Sequence, residues 1–301
     1  MFLLMSLLFS FSLQAQHLDF VCRQAYLPLG GGYYQHNPPV IQDNYLARRA
    51  RLQERGMSYV VESLQGKRIY QTPERIYDLV AIDDHLVLLM GFKLSVINLQ
   101  GQLITEFALN ALPYGDSHGR SMVRVDRHLY IARGQAGVSA FSIDEMKMVW
   151  DADLRDIEKG GAAETIVFDG QHLRLVAATT QEFGFTGIVT MDLSGKILQT
   201  TPYDTRRSGV IGVGARARWF NDSLFINNLG WVHIFTRAQL AQSRAVRARW
   251  LAHQITEPNN RYHYMMLTGD MILDGQKIVG CGLTYEGAAR ERVSRLFEIK
   301  L

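Results

Sequence analysis

Residues 82–89 read Ile82-Asp83-Asp84-His85-Leu86-Val87-Leu88-Leu89, an acidic tight turn set between two apolar runs. The phrase returns as "VDRHLYIA" (125–132), "FDGQHLRLV" (168–176), "FNDSLFIN" (220–227) and "LDGQKIVG" (273–280). Self-similarity outranks local propensity as a guide to architecture, and echoes anchored on Asp84, Asp126, Asp169, Asp222 and Asp274 recur at or slightly above roughly 40–50 residues. That is the length of a unit of four short antiparallel strands.

Reading outward from each turn supplies those strands. A short run precedes it, such as "RIYDLVAI" or "GARARWF"; a second strand follows, such as "HLVLLM" or "SLFINN"; then comes a third, such as "LSVINL", "VSAFSI", "GIVTMDL", "WVHIFT" or "RLFEIKL". The third strand often ends in a hairpin, as in "NLQGQLITEF" (98–107) and "DLSGKILQTT" (192–201), where glycine supplies the positive φ of a tight turn. An outer fourth strand shows the period-two pattern of one wet face in "VRARWL" (246–251), where Val246, Ala248 and Trp250 alternate with Arg247 and Arg249. Four such strands per repeat predict an all-β chain, a β-propeller of five or six blades. An extra hairpin, "YVVESLQGKRIYQT" (59–72), precedes the first anchor, and the last repeat stops at its third strand, Leu301. In a ring that hairpin is expected to lend the outer strands to the last sheet.

The inner D-x-x-L turn and the outer Q/S-G-K/Q turn, over residues 59–301, resemble those of the six-bladed propeller superfamily of bacterial envelope proteins, the TolB-like and NHL-like type. The resemblance implies the fold. Members include binding scaffolds and enzymes, so function has to be argued from sites.

The chain of 301 residues is 47% hydrophobic and 20% charged, ordinary for a folded protein, and its net charge of +3 is too small to argue for nucleic acid. The N-terminal "MFLLMSLLFSFSL" is uncharged and runs into Gln14-Ala15-Gln16, which reads as a signal peptide over 1–15 cut after Ala15, and hence as a secreted or periplasmic protein. The run is shorter than the ~20 residues needed to span a bilayer, and no transmembrane segment is expected. Cys22 and Cys281 lie at opposite ends of the mature chain. In an oxidising compartment they are read as one disulfide, which a closed ring permits; two buried thiols are the alternative. Residues 16–58 fit no blade: "LPLGGGYYQHNPP" reads as a loop and "DNYLARRARLQERG" as a short basic helix capped by Asp43 or Asn44.

Familiar catalytic signatures are missing from the sequence, including G-x-S-x-G, H-E-x-x-H and the P-loop, and no cofactor or metal is expected. Propeller ligands sit where loops feeding the innermost strands converge. Those loops nominate Asp116, His118 and Arg120 of "YGDSHGRS", Glu164 of "EKGGAAET", Arg216 and Arg218 of "RRSGVIGVGARAR", and Arg261, Tyr262 and His263 of "NNRYHY". A histidine beside a carboxylate and a guanidinium can act as base, metal ligand or anion clamp; polar loops also make such residues into turn hydrogen bonds and nothing more. Two readings follow. One is a binding module for a protein, peptide or glycan. The other is a hydrolase or lyase using Asp116, His118 and Arg120 on an anionic or carbohydrate substrate.

Overall fold

The computed structural model describes residues 41–42, 45–53, 56–63, 68–74, 76–109, 118–154, 162–178, 185–204, 215–228, 231–252, 271–274, 276–286 and 291–301. The expected signal peptide, the glycine-rich loop, Cys22, Asp116 and Arg261 to His263 lie outside them.

Among the described residues the strands form six antiparallel sheets, five of four strands and one of three. The first contains β1 (Ile41–Gln42), β2 (Tyr45–Gln53), β3 (Gly56–Ser63) and β4 (Arg68–Thr72), and the second β5 (Asp78–Ile82), β6 (His85–Leu89), β7 (Lys93–Asn98) and β8 (Leu103–Ala108). The third contains β9 (Ser121–Val125), β10 (His128–Ala132), β11 (Val138–Ser142) and β12 (Lys147–Ala152), and the fourth β13 (Ala162–Phe168), β14 (Leu173–Ala178), β15 (Gly187–Met191) and β16 (Ile197–Pro202). The fifth is β17 (Arg216–Phe220), β18 (Ser223–Asn228), β19 (Trp231–Thr236) and β20 (Arg249–Ala252). The sixth is β21 (Met271–Asp274), β22 (Lys277–Glu286) and β23 (Glu291–Lys300). Strands follow chain order in every sheet, and the first strands β1, β5, β9, β13, β17 and β21 neighbour one another in turn. This is the propeller arrangement, with inner strands around an axis and later strands radiating outward.

Two expectations change. The basic stretch read as a helix is β2, paired antiparallel with β3 through Leu46 with Glu62 and Arg48 with Val61. Helix-forming Ala, Leu and Arg are overruled by pairing to a β-rich neighbour, the usual outcome when tertiary context meets a weak propensity. The hairpin of residues 59–72 completes this same sheet as β3 and β4, instead of serving β21 to β23.

The repeated phrase makes the turn from the innermost strand to the second. Asp83 (φ 50°), Asp126 (φ 51°), Asn221 (φ 42°) and Asp222 (φ 61°) take left-handed backbone, a conformation short polar side chains tolerate. Pairs Ile82 with His85, Val125 with His128 and Phe220 with Ser223 close these turns.

In the second to fourth sheets the second and third strands are buried along their centres, as in "HLVLL", "VSAFS" and "GIVTM", whereas outer β8 and β12 alternate toward solvent. The reason is face-to-face stacking of sheets, which sends alternate residues to different neighbours. In β6, Leu86 and Leu88 pack toward the first sheet with Val61, and Val87 and Leu89 pack toward the third with Leu129, Ile131 and Phe141. In β10, Tyr130 and Ala132 join Leu173, Leu175 and Val189 of the fourth sheet. Val176 and Ile188 meet Ala217, Leu224 and Phe235 of the fifth, and Phe225 and Ile234 meet Ile278 of the sixth. At the junction of the fourth and fifth sheets, Tyr203 bridges in parallel to Val246, and its hydroxyl lies 2.5 Å from Nδ1 of buried His233.

Gly101 (φ 83°) turns β7 into β8 against the first sheet, where an added Cβ would lie 1.7 Å from the carbonyl oxygen of Ile69. Gly101→Ala is expected to destabilise the protein by about 1–3 kcal/mol through backbone strain alone, before the collision with Ile69 is counted; an unchanged urea midpoint would contradict this packing. Burial lowers the His233 pKa to about 4. Between about pH 6.5 and that value the unfolded chain binds a proton at this ring that the folded chain refuses. The stability held above pH 6.5 therefore falls as the pH drops toward 4, by about 1.4 kcal/mol per unit at most. His233→Gln should flatten that part of the profile in denaturation curves collected across this range.

Candidate functional site at the channel mouth

Because every inner strand starts at the same end of the propeller, the first residues of β5, β9, β13 and β17 converge there. Three of these are polar, Asp78, Ser121 and Arg216, and polar Thr165 lies three residues into β13. Together with Met122, Ile166, Ala217 and the far-end aromatics Phe168, Trp219 and Phe220, they line a cavity of about 260 Å³.

Arg216 organises this end. From the fifth sheet its Nη2 donates to the carbonyl of Tyr77 at 2.5 Å, and its Nη1 donates to the carbonyl of Arg120 at 3.3 Å, so one guanidinium ties β17 to the heads of the second and third sheets. Asp78 Oδ2 lies 3.6 Å from Nη1, an ion pair without a direct hydrogen bond, and both side chains are almost wholly buried. The Asp78 carboxylate is anchored separately: Oδ1 accepts the Leu79 N–H at 2.9 Å and Oδ2 the Met122 N–H at 2.8 Å. Ser121 Oγ and Thr165 Oγ1, 3.4 Å apart, continue the polar ring onto the fourth sheet.

The nominated residues divide accordingly. Arg120 and Arg216 meet directly, through the Arg120 backbone, and half-buried Arg218 lines the cavity two residues further along β17. Glu164 is buried at the bulge of β13, between Ala163 and Thr165. The His118 ring stacks on Phe92, with centroids 4.0 Å apart, and lies 6.2 Å from Tyr77. Its loop is held to the preceding sheet by the Gly119 N–H, which donates to the Gly91 carbonyl at 2.8 Å. The fourth sheet repeats this link, Gly134 and Ala163 exchanging bonds of 2.9 and 2.7 Å. Asp116, Arg261, Tyr262 and His263 belong to segments outside the described residues.

Asp78 and Tyr77 stand in "RIYDLVAI", whose pattern alone marks an inner strand and no site. A signal was present: a charged residue heads an otherwise apolar inner strand at the same offset before its turn as Arg216 in "RARWF". Among the described residues no group of three metal-ligating side chains gathers, and no helix is long and apolar enough to cross a membrane.

Replacing Arg216 with methionine leaves Asp78 buried without its counter-charge and releases two carbonyls. The expected loss is about 3–5 kcal/mol in urea unfolding, the range for breaking a buried pair from one side. A loss below about 1 kcal/mol would show that the link across the channel contributes no stability.

No protein-family model matches the sequence, and no curated protein is similar to it. Among solved structures the chain is similar to BamB from Moraxella catarrhalis, with a TM-score of 0.51 at 11% identity, over 87% of this chain and 72% of that one. At such identity the likeness concerns architecture, and it agrees with the sheet order: the chain has the β-propeller fold.

Proposed function

We propose that this protein is a secreted or periplasmic binding module that presents the channel-mouth face of its propeller to a partner, a protein, peptide or glycan. The observation that carries this reading is the use made of the charged groups there. Arg216 is spent on carbonyls of two other sheets and Asp78 on two backbone N–H groups, which builds a rigid face and leaves neither poised to move a proton. Beside them Phe92 is 44% exposed on a loop fixed from both sides, with Met90 N–H to the Lys93 carbonyl at 2.9 Å and Leu109 N–H to the Phe92 carbonyl at 2.7 Å. An exposed aromatic on a rigid support is the usual form of an interface anchor. A protein or peptide partner is therefore favoured over a glycan. The Cys22–Cys281 disulfide belongs to the same proposal, as the bond holding the chain ends together outside the cell.

The test uses the mature chain, residues 16–301, as bait in an envelope extract, with cross-linking to locate the contact. A partner cross-linked near residues 91–93 or 118–120, and captured at least tenfold less by Phe92→Ala, supports the proposal. Capture unaffected by Phe92→Ala moves the interface elsewhere. Substrate turnover by the purified protein that is lost in His118→Ala replaces binding with the hydrolase or lyase reading.

A further inference from the structure

The outer edge of the fifth sheet carries charge of a different kind. Five arginines elsewhere sit within 4 Å of a carboxylate: Arg127 with Asp83 and Asp144, Arg133 with Asp151, Arg174 with Asp169, Arg216 with Asp78, and Arg237 with Asp169 and Asp222; Arg68 and Arg124 donate to neutral oxygens of Gln71, Asp126 and Ala81. Arg244, Arg247 and Arg249 are exposed and have no carboxylate at that distance among the described residues. Arg244 Nε donates to Gln242 Oε1 at 2.9 Å, a neutral partner. Three positive charges within six residues are thus left uncompensated.

The backbone that bears them is clamped. The Val246 N–H donates to the carbonyl of Pro202, the last residue of β16, at 2.9 Å, and the Val246 carbonyl accepts from the N–H of Asp204, two residues beyond it, at 3.1 Å. On the other side lies the short helix α1 (Arg237–Leu240), capped by Thr236. Gln239 of α1 accepts the Thr236 N–H at 2.9 Å and donates Nε2 to the Arg247 carbonyl at 2.9 Å, so both ends of its amide are used. Val246 and Ala248 are buried and Arg247 and Arg249 are exposed, which puts the two arginines on one side of the chain as it enters β20. Gln239, Arg247, Ala248 and Arg249 line an open depression of about 510 Å³.

We propose that this depression is a phosphate-binding site. Two guanidinium groups on one side of the clamped segment that enters β20 present several N–H donors to a tetrahedral oxyanion, and arginine matches phosphate in paired hydrogen bonds. The backbone is ordered before the ligand arrives, so binding orders only side chains. The phosphate is that of a small soluble ester or of a lipid headgroup. The site lies on the outer strand, away from the channel mouth, and stands independently of the function proposed above.

The experiment measures binding of the mature chain to glycerol phosphate by calorimetry, and to vesicles of phosphatidylcholine containing phosphatidylglycerol by co-sedimentation, at low and high salt. Arg247→Gln/Arg249→Gln is the test variant. Because both positions are exposed, it is expected to keep the wild-type melting temperature; Arg247→Lys/Arg249→Lys provides a second variant that retains charge. Binding of either ligand that weakens at least tenfold in the glutamine variant, and several-fold in the lysine variant, establishes the site. Glycerol phosphate binding identifies a soluble source, and vesicle binding without it identifies a headgroup. No binding in either arm, binding equal in wild type and glutamine variant, or binding only to a sulfated glycan offered in parallel overturns the proposal.

Discussion

One guanidinium sets the geometry at the head of this propeller. Sheets stacked face to face are held by apolar contact, which is strong but indifferent to small slides of one sheet over the next. Arg216 supplies direction: its two Nη groups reach the carbonyls of Tyr77 and Arg120, fixing the height of the fifth sheet against the second and third. A buried guanidinium is tolerable here because both Nη groups reach carbonyls and Asp78 lies nearby. The cavity beneath, the orientation of the loop carrying His118, and the exposed ring of Phe92 all depend on those strand heads.

Directional bonds recur at the opposite end. Arg127 of the third sheet links Asp83 of the second to Asp144 of its own, at 3.0 and 2.7 Å. Arg237 of the fifth sheet links Asp169 of the fourth to Asp222 of its own, and lies 4.8 Å over the ring of Trp219. The polarity is exchanged between the two. In the third sheet the arginine belongs to the inner turn, whereas in the fifth it follows the third strand. The first triad is exposed and contributes little. Asp169 in the second is buried, which by itself would push its carboxyl up. N–H groups of His172 and Gln171 together with Arg174 outweigh that effect and hold it below the usual carboxylate range.

Much of this was legible in the sequence because the repeat has a physical cause. The tight inner turn needs a residue that accepts positive φ, and Asp or Asn supplies it in the second, third and fifth sheets and Gly170 in the fourth. Continuous apolar runs such as "HLVLL" signal strands covered on both faces, and the alternation of Val246, Arg247, Ala248 and Arg249 signals an outer one. Reading failed where local chemistry pointed elsewhere. "YLARRARLQ" has good helix formers and becomes β2, because its neighbour β3 offers a ladder that no single-segment pattern reveals. The stacking of His118 on Phe92 joins two segments of the chain and is not legible in "YGDSHGRS" alone.

The sequence by itself determined the class of the fold, the place of its inner turns and the alternation of its strands, since each follows from backbone conformation and period, which are local. Tertiary structure alone decided which sheet the early hairpin joins, that Asp78 and Arg216 face each other although 139 residues separate Arg216 from Tyr77, and which arginines find carboxylates. Those outcomes depend on distances between segments remote in the chain. Charges, carbonyls and faces acquire partners only when stacked sheets bring them within the few ångströms over which hydrogen bonds and ion pairs act.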